Sequence, residues 1–198
     1  PNQMIKVGVT GGIGAGKSTI CKIFETLGYP VFYSDKEAKH IISENPEVKN
    51  AISTLLGKDS YSEKGDYNAS FVASKVFEDK GLLNQLNEII HPEVNKAFAM
   101  FCDTHKTSEI IFQEHPLLFE NGVQNNFDEI LYVSAPLSFR INNILKRDPH
   151  RTKSAIEKII KNQFPEHKAI KLTDFIIFND GQEPLIEQVD EILEIISL

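Results

Sequence analysis

At 198 residues, with 41% hydrophobic and 25% charged side chains, the chain is long enough to bury one real core, so one domain, or one domain with small insertions, is expected. A net charge of −7 with scattered lysines argues against a general nucleic-acid binder, which needs a basic face. Cys21 and Cys102 stand far apart with no metal-ligand spacing, and no apolar run nears the roughly twenty residues of a spanning helix, which excludes a disulfide scaffold and a transmembrane protein.

The N-terminus lacks the charged and apolar regions of a signal peptide, and Met4 reads as the natural start, with Pro1, Asn2 and Gln3 as a remnant ahead of it. A cytoplasmic protein is therefore expected, with no membrane, no nucleic acid and no obligatory protein partner.

Residues 5–9 are a short apolar, β-branched run that reads as a buried strand, and Ile20, Ile23, Phe24 and Leu27 recur at helical spacing until Gly28 stops the helix. Between them stands Gly11-Gly12-Ile13-Gly14-Ala15-Gly16-Lys17-Ser18-Thr19, which fits G-x-x-x-x-G-K-[ST], the phosphate-cradling P-loop. A strand, a glycine loop and a helix N-terminus together aim backbone N–H groups at one point, where a chain of phosphates can sit. Lys17 would give a point charge to the β and γ phosphates, and the Ser18 hydroxyl would ligate the Mg²⁺ that a triphosphate carries.

Residues 30–33 read as a second strand. Ser34 with Glu37 three residues on is a capping-box signature, which makes Asp35 the first residue of the next helix. Two readings of Asp35 stand side by side: it complements the helix dipole, or it is a working carboxylate at the carboxyl end of a strand, where open α/β sheets bind their ligands.

Residues 46–106 are almost wholly helical in pattern, with a loop near 59–66 and Pro92 suited to the first turn of a helix through Val94 and Phe98. That is far longer than a crossover between strands needs, so a helical insertion is expected, a natural place for an acceptor site.

Residues 109–113 return as a buried strand running into Glu114. An acid there suits a Walker-B-like Mg²⁺ position, and a solvated strand end is the alternative. His115 has no partner at useful spacing and reads as a loop or core histidine. Residues 129–133 are the fourth strand, and Pro136 opens a helix carrying Arg140, Lys146 and Arg147, with Arg151 in the turn beyond. This basic group suits either a phosphate-covering lid or an exposed helix face. Residues 173–178 form the fifth strand, Asn179-Asp180-Gly181 is a turn, and Leu185, Val189, Ile192, Leu193 and Ile196 mark one face of a last helix. Strands separated by helices indicate a doubly wound parallel α/β sheet with the P-loop strand near its middle.

Several of these pieces together resemble the dephospho-CoA kinase family: residues 10–19, Ser34-Asp35-Lys36, Leu86-Asn87 with His91-Pro92, Pro116-Leu117-Leu118-Phe119-Glu120, Arg147-Asp148, Gln163 and Asn179-Asp180-Gly181. The resemblance implies a five-stranded parallel P-loop kinase core (about 4–45, 107–138 and 173–198), a helical acceptor-binding insertion (about 46–106) and a lid (about 139–172). It implies transfer of the ATP γ-phosphoryl to the ribose 3′-hydroxyl of dephospho-CoA, with Mg²⁺. By match, Asp35 is the base, and Lys17 and Arg147 act on the transferring group. Asn179 joins Gly11, Gly12, Gly14, Ala15, Gly16, Lys17, Ser18 and Thr19 at ATP. Asp35, His91, Pro116, Leu117, Leu118 and Glu120 meet the acceptor, Arg140 and Arg151 are lid candidates, and Ser18 with Glu114 is the metal pair. The chain departs from the family pattern at Tyr33, where an aspartate is common, at Arg140 and Asn143, where the family has glutamine and arginine, and at Ala69, where it has arginine.

Overall fold

A computed structural model describes residues 4–77 and 79–197; Pro1, Asn2 and Gln3, read above as a remnant, lie outside the described residues. The expected sheet is present. Its five strands are β1 (Ile5–Gly11), β2 (Val31–Tyr33), β3 (Ile110–Glu114), β4 (Glu129–Ser134) and β5 (Phe175–Phe178), in the order β2-β3-β1-β4-β5. β1 pairs in parallel with both β3 and β4, with Val9 opposite Glu114 on one side and Leu131 on the other. β5 extends the sheet in parallel beyond β4. A central strand is covered on both faces, which is why β1 is buried without interruption from Val7 to Gly11 rather than alternating.

The chain divides into two compact units, Pro1–Phe32 with His105–Leu198, and Tyr33–Thr104. In the first, α1 (Lys17–Thr26) and α9 (Leu185–Ile196) pack on each other and on the sheet. Phe24 of α1 stacks on Phe112 of β3 at a centroid distance of 3.6 Å, and both rings are fully buried. α1 ends as the sequence indicates, in a Schellman motif: Gly28, at φ 92°, donates to Glu25 O, and Tyr29 donates to Phe24 O.

α6 (Leu137–Arg147) and α7 (Lys153–Asn162) pack around Ile141, Ile144 and Ile156, and the short α8 (Glu166–Ala169) leads on to β5.

The second unit holds α2 (Ser34–Glu44), α3 (Pro46–Leu56), α4 (Ala69–Val76) and α5 (Lys80–Thr104). It begins one helix earlier than residue 46, because α2 packs on α5 and α3. Its loop is tied down by a bridge between Tyr61 and Tyr67, by the Tyr61 hydroxyl donating to Ile42 O at 2.9 Å, and by Lys49 Nζ donating to Gly65 O at 3.0 Å.

Two local expectations are corrected. Pro92 does not open a helix but lies inside the 25-residue α5. Its ring removes one helical hydrogen bond, yet Leu86, Ile90 and Val94 bury a continuous stripe across it, and that packing keeps one helix where local rules predict a boundary. Ser34 is not the cap of α2: the N-cap is Tyr33, whose side chain does not cap the helix, and Ser34 is a buried first-turn residue. Asp35 is therefore the second helical residue.

Candidate active site

The P-loop is built by the ends of β1 and α1. Gly16, the N-cap of α1, has φ 96°, a left-handed conformation that glycine reaches without steric cost, and a Cβ there would overlap the Asn179 amide. Lys17 arches back over the loop and donates from Nζ to the carbonyls of Gly11 at 2.9 Å and Gly12 at 3.2 Å, which holds its charge above the cradle. Ser18 and Thr19 are exposed in the first turn of α1.

The back of the loop is held by side chains from distant parts of the chain. Three consecutive loop carbonyls each accept from a side-chain N–H: Ile13 O from Arg140 Nε at 2.9 Å, Gly14 O from Asn143 Nδ2 at 3.0 Å, and Ala15 O from Asn179 Nδ2 at 3.0 Å. Gln163 Oε1 completes the set by accepting from Ile13 N at 3.0 Å and from Arg140 Nη2 at 2.9 Å. Three loop peptide groups are thus fixed through their carbonyls, and two loop N–H groups are bonded within the protein, Ile13 N to Gln163 and Ala15 N to Gly12 O at 3.1 Å, so that any phosphate would be met by the other N–H groups of the loop. Asn179 itself is set by the turn that follows it. Asp180 Oδ1 accepts from the N–H groups of Glu183 and Gln182, which keep its carboxyl below the usual carboxylate range.

Glu114 ends β3 opposite Val9, two residues before β1 reaches the loop. Burial raises the Cys21 thiol pKa well above its ordinary value; Glu114 adds to the rise and Lys17 opposes it, so both charges are felt at one point of α1. Among the described residues no group of three or more His, Cys, Asp or Glu side chains is arranged to hold a metal. The Ser18 hydroxyl in the first turn of α1 and the Glu114 carboxylate at the end of β3 are oxygen donors of the kind that suits Mg²⁺, which keeps waters and takes substrate phosphates beside one or two protein oxygens.

A cleft of about 640 Å³ opens beside the loop, lined by Gly12, Tyr132, Ser134, Arg140, Gln163 and Glu166 among others. Ser134 donates to Glu166 Oε1 at 2.6 Å, and the Tyr132 phenol is pushed up to about 12 by burial and by the carboxylates of Glu166 and Glu120. An adjoining cleft is walled by Thr10, Gly11, Gly12, Pro116 and Glu120. The string 116–120 divides its work: Leu118 is fully buried, Leu117 is exposed, Phe119 stacks on Phe164 at 5.2 Å, and Glu120 Oε1 accepts from Phe164 N at 2.9 Å.

The first unit thus brings together the P-loop, Glu114, Pro116, Glu120, Arg140 and Asn179. Arg140 is not on an exposed basic face: it is 7% exposed, against the loop. Arg147 lies two helical turns further along α6 and is exposed, as is Arg151, which pairs with Asp148 at 2.7 Å. Asp35 and His91 belong to the second unit, exposed in the first turn of α2 and in the middle of α5. From the residues alone Asn143 reads only as a missing arginine, and Gln163 has no assigned role. Their partners in the loop are 129 and 150 residues away, a separation that periodicity does not register.

A parallel sheet whose central strand feeds a P-loop, with a lysine over the cradle, clefts beside it and arginines on α6, defines a P-loop kinase. Comparison with known proteins narrows this. The sequence profile of the CoaE family, dephospho-CoA kinase, matches residues 5–184, and the chain belongs to that family. It is 33% identical over 189 residues to the dephospho-CoA kinase of Bacteroides fragilis, covering 96% of this chain and 91% of the relative. Among solved structures, TT1252 from Thermus thermophilus superposes with a TM-score of 0.84 at 28% identity, covering 98% of this chain and 97% of that one. Dephospho-CoA kinase from Campylobacter jejuni gives 0.67 at 25% identity, covering 97% and 95%.

Proposed function

We propose that the protein transfers the γ-phosphoryl group of ATP to the ribose 3′-hydroxyl of 3′-dephospho-CoA, giving CoA and ADP, the final step of coenzyme A biosynthesis. The observation that carries this reading is a complete, side-chain-braced P-loop in a chain that matches the dephospho-CoA kinase profile over residues 5–184. The acceptor oxygen attacks the γ phosphorus, the bond from that phosphorus to the β–γ bridging oxygen breaks, and ADP leaves with the electron pair.

Asp35 takes the hydroxyl proton, and a carboxylate suffices because the alcohol becomes acidic only as the new bond forms. Lys17 and the loop N–H groups hold the β and γ phosphates in line, and Arg147 offsets charge on the transferring group. Ser18 and Glu114 would hold Mg²⁺, which would offset the negative charge of the triphosphate. The remaining assignments belong to the same proposal: Asn179 beside ATP, His91, Pro116, Leu117 and Glu120 at the acceptor with the fully buried Leu118 backing them, residues 139–172 as a lid, and the cytoplasm as the compartment.

The test is ADP release with ATP and Mg²⁺ against a panel of acceptors. Dephospho-CoA should be turned over far faster than nucleoside monophosphates or small metabolite alcohols. Preference for another acceptor would replace the substrate while leaving the kinase class intact.

A further inference from the structure

We infer that Arg140 and Gln163 are positioning residues that clamp one residue of the P-loop, Ile13, and so fix the shape of the ATP cradle without touching the phosphates. Both polar groups of the Ile13 backbone are taken: its N–H by Gln163 Oε1 and its C=O by Arg140 Nε. The two clamping side chains are bonded to each other through the same Gln163 oxygen, so the three form one closed hydrogen-bonded unit. The Ile13 side chain is held as well, packed against the Ile141, Ile144 and Ile156 core of α6 and α7. The guanidinium lies so close under Gly12 that a Cβ there would overlap it.

The clamp reaches a second anchor. Phe164, next to Gln163, is gripped by the Phe119 ring and the Glu120 carboxylate. The junction after α7 is thus fastened on one side to the P-loop and on the other to the 116–120 string, and α7 cannot shift at that junction without pulling on Ile13.

An arginine on a kinase's basic helix invites another reading, direct charge stabilisation of the triphosphate. The geometry separates the two. Arg140 is buried, and the nitrogens placed above are bonded to a backbone carbonyl and a side-chain amide. A direct charge would need only its cation, whereas a clamp needs the planar fork of a guanidinium and needs Gln163 equally.

The inference rests on residues 11–19 being the ATP site. It is tested by titrating Mg·ATP calorimetrically, and by measuring kcat and both KM values, for wild type, Arg140→Lys, Gln163→Leu, Gln163→Glu and the Arg140→Lys/Gln163→Leu double variant. Arg140→Lys and Gln163→Leu should each weaken ATP affinity and raise its KM by about tenfold, as expected for loss of a buried charge-assisted bond, with the acceptor KM unchanged. The double variant should lose little more than either single one, because both act through one unit. Gln163→Glu keeps the accepting oxygen beside the guanidinium and should stay within about threefold of wild type. Partial unfolding alone would lower apparent kcat at an unchanged KM, so the KM shift separates positioning from mere stability. Normal ATP affinity in Arg140→Lys or Gln163→Leu, or fully additive losses in the double variant, would overturn the clamp. Absence of ATP binding in the wild type would instead overturn the assignment of the P-loop itself.

Discussion

Arg140 and Arg147 lie on one stripe of α6, seven residues and two helical turns apart, and they end in opposite surroundings. Arg140 is buried against the back of the P-loop, bonded to the Ile13 carbonyl and the Gln163 side-chain amide. Arg147 is exposed in the last turn. The difference teaches that a basic residue on a kinase helix is not by that fact a phosphate ligand. What decides is whether its guanidinium ends on groups of the protein or in solvent.

The widest test of that contrast removes the residue proposed to act on the phosphates themselves. Lys17→Ala should take turnover below detection while the melting temperature stays within a few degrees of wild type, since the lysine is half-buried and sits outside the apolar core. Measurable kcat near wild type in the folded variant would place Lys17 with the structural residues.

The next largest effect is expected at Asp35, the proposed proton acceptor. Asp35→Asn should lower kcat by about 10²- to 10⁴-fold with ATP affinity preserved, and should cost at most about 1 kcal/mol of stability as a first-turn acid of α2. A drop of less than about tenfold would return Asp35 to the helix-dipole reading.

Arg147→Gln sharpens the comparison within α6. If its exposed charge meets the transferring group, kcat should fall by about tenfold or more, with the melting temperature and the KM for ATP little changed, the reverse of the pattern set out for Arg140. A rise in KM at constant kcat would mean that the two arginines do the same work.

Arg151→Ala should have the smallest effect. Its ion pair with Asp148 is exposed and local, three residues apart, and such pairs are worth about 0 to 1 kcal/mol, so a melting-temperature shift beyond a few degrees would be unexpected.

The parts of this molecule that were legible in the sequence are the local ones. The P-loop is a run of nine residues, the buried strands are short apolar runs, and Gly28 marks the end of α1 by needing a left-handed backbone, so each can be read without knowing its neighbours. Pro92 and Ser34 misled because local preference was outweighed, in α5 by an apolar stripe packed across the proline and in α2 by a helix that starts one residue earlier.

The support of the site was less legible for a different reason. Asn143, Gln163 and Arg140 earn their roles from partners 129, 150 and 127 residues away, and a polar residue on an amphipathic helix looks the same in sequence whether it faces water or a peptide carbonyl. The Arg140 side chain can be buried because the Ile13 carbonyl and the Gln163 amide oxygen replace water it gives up.

The most direct test of the account is the identity of the product formed from dephospho-CoA, ATP and Mg²⁺. Mass spectrometry with ³¹P NMR should find one ADP for each CoA, with the new phosphate on the ribose 3′-oxygen. ADP formed without CoA, or phosphate carried by any other oxygen of the acceptor, would contradict it.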